Sequence, residues 1–222
     1  MRPLNASIRS IPLPARLRSR PVSDTGYPIP RFVAWPDGVA DFRIADHDKL
    51  ARAVRLDLCW LCGQTLGRFK CFVIGPMCAV NRTSSEPPCH RDCAEYAVRA
   101  CPFLTRPRMR RNDQGLSDYE TPGGEMIARN PGVALIWITH DYRVIRDGSK
   151  ALFKIGEPVE IAAYAQGRTA TRDELDASIT SGLPLLANLA GREGPEAMAA
   201  LASAVARADK LFARLLPREV AA

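Results

Sequence analysis

Apolar residues in this chain come in short, well-separated runs, and their spacing sorts them into strands and helices. One unbroken apolar run, Val133 to Ile138, leads into Thr139. A strand covered on both faces has this continuity, so Val133 to Thr139 is predicted as a buried strand. Phe69 to Ile74 reads as another. Asp147-Gly148 marks a turn into a strand over Ala151 to Ile155, and Gly156-Glu157-Pro158 separates that strand from one over Val159 to Tyr164. Arg31 to Trp35 is a short strand closed by the turn Pro36-Asp37-Gly38. Elsewhere the spacing is helical. Leu50, Ala53, Val54 and Leu58 share one face of a helix capped by Asp46 and running to about Asp57. Cys93, Ala97, Val98 and Cys101 share a face of a helix from about Cys89 to Cys101, ended by Pro102. Thr171 and Glu174 form a capping-box pattern that opens a helix to about Ser181, and Pro184 suits the first turn of a short helix ending near Gly191. Gly194-Pro195 begins the last and longest helix, whose stripe of Met198, Leu201, Val205, Phe212 and Leu215 faces a core.

Three stretches break the pattern. Residues 1–30 hold six prolines and five arginines, which forbid a helix, discourage burial and predict an extended basic arm, ordered from about Tyr27 onward. The stretch Gly75 to Ser85 is expected as a loop. Arg106 to Arg111 is a basic connector followed by a polar loop over Asn112 to Gly124. The organisation this implies is an arm over 1–30, a cysteine-bearing module over 31–111 and a second unit over 112–222. The last two are able to share a core, since Trp35, Trp60 and Trp137 need partners and neither half is generously apolar alone.

Cysteine placement changes the picture most. All seven cysteines lie between Cys59 and Cys101, an odd number and a tight cluster, which points to metal rather than a disulfide framework. Cys59-Trp60-Leu61-Cys62-Gly63 carries the two-residue spacing that lets two thiolates hold one ion from a tight turn. Its glycine permits a backbone that aims amides at the sulfurs. His90 and Cys93 stand three apart at a helix start and share a face; Cys89 and Cys93 are four apart and can do the same. The fourth ligand is therefore either His90 or Cys89. Asp92 or Glu95 suits the positive end of that helix. Such a site, with four protein ligands, stabilises the fold and leaves no open position for catalysis. Of the remaining cysteines, Cys71 and Cys101 read as core packing, and Cys78 sits at a turn without a basic neighbour to activate it.

A Cys-x-x-Cys turn, a hairpin over Phe69 to Ile74 and a helix supplying the second pair resemble a treble-clef zinc finger. The Cys-x-x-Cys with His-x-x-Cys pattern is similar to one half of a LIM module. The resemblance covers residues 59–101 and implies a bound Zn2+ ligated by Cys59, Cys62, His90 and Cys93. The fold class expected is α+β: a treble-clef module joined to a small β-sheet and C-terminal helices.

Other chemistry is sparse. His140-Asp141 follows the buried strand where catalytic groups often sit, yet only His47 and His90 exist to complete a metallohydrolase set. No histidine between Leu66 and Val80 supplies the base of a His-Asn-His nuclease, and phosphate-binding glycine loops and the Gly-x-Ser-x-Gly elbow are missing. No catalytic residue is assigned, although His140, Asp141 and Cys78 are the groups an enzyme would use.

Charge adds a partner class. The first 111 residues carry a net +10 and the remainder −3. Arg99, Arg106, Arg108, Arg110 and Arg111 cluster after the cysteine-bearing helix, and arginine pairs with phosphate bidentately. They are candidate nucleic-acid contacts, or else a solvated connector; a protein partner is the other expectation. No apolar run reaches the ~20 residues a membrane span requires, and no secretory signal is evident, so a cytoplasmic location is expected. Finally, Phe72 to Arg82 together with Cys101-Pro102-Phe103-Leu104 resembles a family of uncharacterised proteins from bacteriophages and bacterial genomes, as do Tyr27-Pro28-Ile29-Pro30, Ala170-Thr171-Arg172 and Ser181-Gly182-Leu183-Pro184. That resemblance implies a phage or mobile-element setting and brings no activity with it.

Overall fold

The computed structural model describes residues 2–125 and 127–216. In chain order its elements are β1 (Val33–Ala34), β2 (Asp41–Ala45), α1 (His47–Leu56), β3 (Lys70–Ile74), α2 (Pro76–Asn81), β4 (Thr83–Ser84), α3 (Arg91–Ala100) and α4 (Pro102–Thr105). There follow β5 (Ala134–Thr139), β6 (Tyr142–Asp147), β7 (Lys150–Ile155), β8 (Pro158–Ala165), β9 (Arg168–Thr169), α5 (Arg172–Glu193) and α6 (Pro195–Leu215). The fold is mixed α and β with antiparallel sheets, as the apolar spacing anticipates.

The centre is a four-stranded sheet of order β3-β5-β8-β9. Strand β5 lies between β3 and β8 and is buried at every residue. The period-2 alternation of a strand explains this. Leu135 and Trp137 join Phe72, Ile74, Ile161 and Ala163 on one face. Ala134, Ile136 and Ile138 join Cys71 and Tyr164 on the other. The first face is covered by α2, α5 and α6 and by Phe153 and Ile155 of β7. The second is covered by α3 and the cysteine cluster, with Ile8 and Leu17 from the N-terminal segment. A fully buried aromatic or aliphatic side chain such as Trp137 or Phe72 contributes about 1.5–3 kcal/mol of transfer free energy. The cysteine-bearing stretch thus supplies an outer strand, β3, to the sheet whose other strands come from the second half of the chain.

Several elements differ from the sequence expectation, each for a physical reason. The strand after the Cys-x-x-Cys turn forms no local hairpin; it pairs with β5, and only Cys71 meets a nearby segment, in a single antiparallel bridge to Cys89. The stretch Gly75 to Ser85 is not a loop but α2 and β4, with Pro76 at the first turn of the helix and Arg82 in the left-handed conformation ending it. Residues 142–147 form strand β6, joined to β7 by the two-residue loop Gly148-Ser149. Its residues are almost all exposed, so no burial alternation marks it.

Pro184 does not start a helix but lies within α5. It and Thr180, whose carbonyl it leaves without an amide partner, both face solvent, where water replaces the lost bond. In residues 1–30 the prolines limit structure to two 3-10 turns, Ala6–Ile8 and Ala15–Leu17, and one antiparallel bridge between Val22 and Pro28, yet Ile8 and Leu17 are buried. Trp60 stacks on Phe32 with ring centroids 4.6 Å apart and Trp137 is buried, whereas Trp35 stays 41% exposed.

Candidate metal centre

Three segments build the cysteine cluster. Helix α1 ends with Asp57 in the left-handed conformation, which turns the chain directly into the Cys-x-x-Cys loop. That loop is a tight antiparallel turn: the Cys59 amide donates to the Gln64 carbonyl (2.7 Å), the Gly63 amide to Cys59 (2.8 Å) and the Leu66 amide to Asp57 (2.8 Å). Gly63 has φ +82°, and a Cβ there would meet the Arg31 side chain at 2.9 Å, so only glycine suits the position. The loop is pinned at two further points. The Trp60 amide donates to the Pro88 carbonyl (3.1 Å), and the Arg31 amide donates to that of Leu61 (2.7 Å).

Helix α3 supplies the other pair. His90 stands at its N-cap, where a capping side chain normally accepts an amide; the His90 ring makes no such bond and turns into the cluster. The Asp92 carboxylate instead accepts from the Cys93 amide at 3.0 Å, which also places negative charge at the positive end of the helix.

Cys59, Cys62, His90 and Cys93 are all buried, and one donor atom from each lies within 4.8 Å of the other three. Sulfurs on a tetrahedron with metal–sulfur bonds of ~2.3 Å are separated by about 3.8 Å, so small side-chain adjustments close the cluster around an ion. The surrounding hydrogen bonds suit thiolates. Cys59 Sγ accepts from the amides of Cys62 (3.5 Å) and His90 (3.4 Å), and Cys62 Sγ from that of Gln64 (3.5 Å). Hydrogen bonds from the Cys62 and Cys93 thiols, with those two amides, hold the Cys59 thiol well below its ordinary range. The same contacts push Cys93 up. One thiolate with protons shared around it is the arrangement a cation would displace. The group can therefore hold a metal ion.

Backbone pairing brings His90, and not Cys89, into the group. Cys89 is fixed in its bridge to Cys71, with amide-to-carbonyl distances of 3.1 and 2.8 Å, and its thiol donates to the Cys71 carbonyl at 3.1 Å. Burial raises its pKa well above the usual thiol range. The His90 ring presents Nδ1 to Cys62 Sγ at 3.3 Å and Nε2 to the Thr65 carbonyl at 3.0 Å. A carbonyl only accepts, so Nε2 carries the proton and Nδ1 directs its lone pair into the cluster. Thr65, three residues beyond Cys62, has no marker in the sequence that would have singled it out.

The remaining cysteines stand apart from the cluster. Burial raises the pKa of Cys71 to about 12 and also raises those of Cys78, on α2, and Cys101. All three are poor nucleophiles at neutral pH. His140 and Asp141 form the exposed turn between β5 and β6, where the His140 ring stacks on Phe69 at 5.0 Å.

The five arginines proposed to meet nucleic acid divide into two groups. Arg99 lies over the Tyr164 ring at 5.7 Å, and Arg111 donates to the Arg43 carbonyl at 2.8 Å and pairs with Asp113. Arg106, Arg108 and Arg110 are exposed, and none makes an ion pair with a carboxylate among the described residues. Arginines of the N-terminal segment are mostly occupied: Arg9 bonds the Leu4 carbonyl, Arg16 meets Gln64 and Asp92, and Arg20 bonds the Ile29 carbonyl. Among the described residues no helix is long and apolar enough to cross a membrane.

Compared with models of protein families, with curated proteins and with solved structures, the chain matches none.

Proposed function

We propose that the cluster binds one zinc ion as a structural centre, and that the frame it fixes presents arginines to nucleic acid. The burial of Cys59, Cys62, His90 and Cys93 within 4.8 Å of one another is the observation that carries the first part. A sulfur-rich tetrahedral set with one imidazole suits zinc among the common cations. With four protein ligands the ion's role is to hold the Cys-x-x-Cys loop against the start of α3, as in the treble-clef fingers this segment resembles. Three thiolates and Zn2+ carry a net single negative charge, and the Arg20 guanidinium, which interacts electrostatically with Cys62, offsets it.

The second part is supported by Arg106, Arg108 and Arg110, three guanidinium groups on the segment leaving α4 that pair with no carboxylate among the described residues. They neutralise phosphates, whose contacts give affinity that falls with salt. Native mass spectrometry with metal analysis tests the zinc: one ion per chain is expected, and a chain purified without metal that keeps its fold would overturn it. Fluorescence anisotropy with a labelled oligonucleotide tests the partner. Binding in the nanomolar to micromolar range at ~50 mM salt is expected, weakening at least 10-fold by 200 mM. Undetectable binding at low salt would eliminate the nucleic-acid reading.

A further inference from the structure

A cleft of about 2020 Å3 runs between the N-terminal segment, α1, the α3–α4 region, the loop beyond Met109 and the second half of α5. Pockets for small molecules hold ~300–1,000 Å3, so this one is sized for a polymer rather than a metabolite. Its charge is one-sided: eleven Lys and Arg line it against three Glu. Arg55, Arg106, Arg110, Arg146 and Arg192 are exposed to it and pair with no carboxylate among the described residues. Of the three acids, Glu120 is engaged by the Ser117 amide and hydroxyl (both 2.8 Å). Burial pushes the Glu86 carboxyl up, with Arg111 opposing.

Aromatic side chains from distant parts of the sequence also line the cleft. Tyr27, Phe32, Phe42 and Phe103 are open to it, Phe42 with 44% of its surface exposed. Two donors of lining residues, Trp60 Nε1 and the Tyr96 hydroxyl, are buried without a hydrogen-bond partner among the described residues. A buried donor left unpaired costs about 1–3 kcal/mol, a penalty that an acceptor brought by a ligand would relieve.

We infer that this cleft is the binding site for a single-stranded nucleic acid, an inference that rests on the nucleic-acid reading above and specifies it. Guanidinium groups take the phosphates. The aromatic and apolar wall takes unstacked bases, whose faces a duplex keeps inside its own stack and a single strand offers. A duplex presents chiefly phosphates and has no use for the apolar wall.

The test uses the metal-loaded full chain and anisotropy with a labelled 12-nucleotide single strand, the same sequence as a hairpin duplex, and a polyglutamate peptide of equal charge. The single strand is expected to bind at least 10-fold more tightly than the duplex and the peptide. The double variant Arg55→Gln/Arg192→Gln, far from the arginine-rich connector, is expected to weaken it about 10-fold and to lower the salt slope by about 1.4, since each lost single-strand phosphate contact removes ~0.7. Phe42→Ala is expected to weaken it 5-fold or more, at every salt concentration. These side chains are exposed, so each variant should keep its metal content and far-ultraviolet spectrum. Tighter binding of the duplex, or wild-type affinity in the Arg55/Arg192 variant, overturns the cleft assignment while the nucleic-acid reading stands. Preference for polyglutamate replaces the ligand with an acidic peptide. Failure of both nucleic acids to bind removes the broader reading with it.

Discussion

Replacing His90 by alanine removes one donor of the four and separates the two candidate fourth ligands. Structural zinc is held with about 10–16 kcal/mol of apparent free energy across four ligands, so an equal share is about 3 kcal/mol for the imidazole. His90 also donates to the Thr65 carbonyl at 3.0 Å, a bond worth about 1 kcal/mol net. Together these predict an affinity roughly 10^3-fold weaker, by the rule that ~1.4 kcal/mol is tenfold. A competition titration against a chromophoric chelator measures it directly. His90→Cys, which restores a soft donor at the same place, is expected to recover most of the affinity. Cys89→Ser is expected to stay within about 3-fold of wild type, because the serine hydroxyl can keep the bond to the Cys71 carbonyl that the thiol makes now. The reasoning fails if Cys89→Ser releases the ion as readily as His90→Ala, or if His90→Ala binds with undiminished affinity.

Other consequences are as direct. Nitrogen-15 NMR of the metal-loaded chain should show His90 protonated at Nε2 and shifted by metal at Nδ1; the opposite tautomer would contradict the Thr65 contact. Phe212 is fully buried beneath α5 and the central sheet, so Phe212→Ala should cost about 3–5 kcal/mol in urea unfolding, and a loss under 1 kcal/mol would show that α6 is not part of the core. Glu174, at the start of α5, is held at about 2 by paired hydrogen bonds from Arg168 and by the Thr171 amide. Because its folded pKa is depressed, its stabilisation is complete above the unfolded value near 4.5 and disappears as pH falls through about 2. The Arg168 side chain of the pair is 55% exposed, so screening reduces the effect to about 1 kcal/mol. Glu174→Gln should therefore lower stability by that amount at pH 7 and by almost nothing near pH 2, and an equal loss at both would refute the ion-pair account. Acid should also release the metal, since thiolates must be free of protons to bind; retention of the ion at pH 3 would argue against thiolate ligation.

What the sequence determined by itself was local. Asp46 caps α1, Thr171 and Glu174 cap α5, Pro195 opens α6, and the Cys59–Gly63 turn takes its form from residue spacing and one glycine. In each, the interacting groups lie within a few residues, so propensity and hydrogen bonding act before any tertiary contact forms. The burial of β5 on both faces was equally legible in its unbroken apolar run.

Only the tertiary structure decided the rest, because the deciding contacts join residues far apart in the chain. Nothing near Phe72 indicates that it lies opposite Trp137, or that β3 leaves the cysteine-bearing segment to edge a sheet built from the second half. Cys89 and His90 both stand at workable spacings from Cys93, with the treble-clef resemblance favouring His90. The bridge that commits Cys89 to Cys71, and the Thr65 carbonyl that orients the imidazole, bring His90 and not Cys89 to the other three donors. The cleft is the extreme case: Arg55, Arg106 and Arg192 become neighbours of one cavity only once α1, the α3–α4 region and α5 are packed around it, since charge repulsion and loop entropy would keep them apart in the unfolded chain.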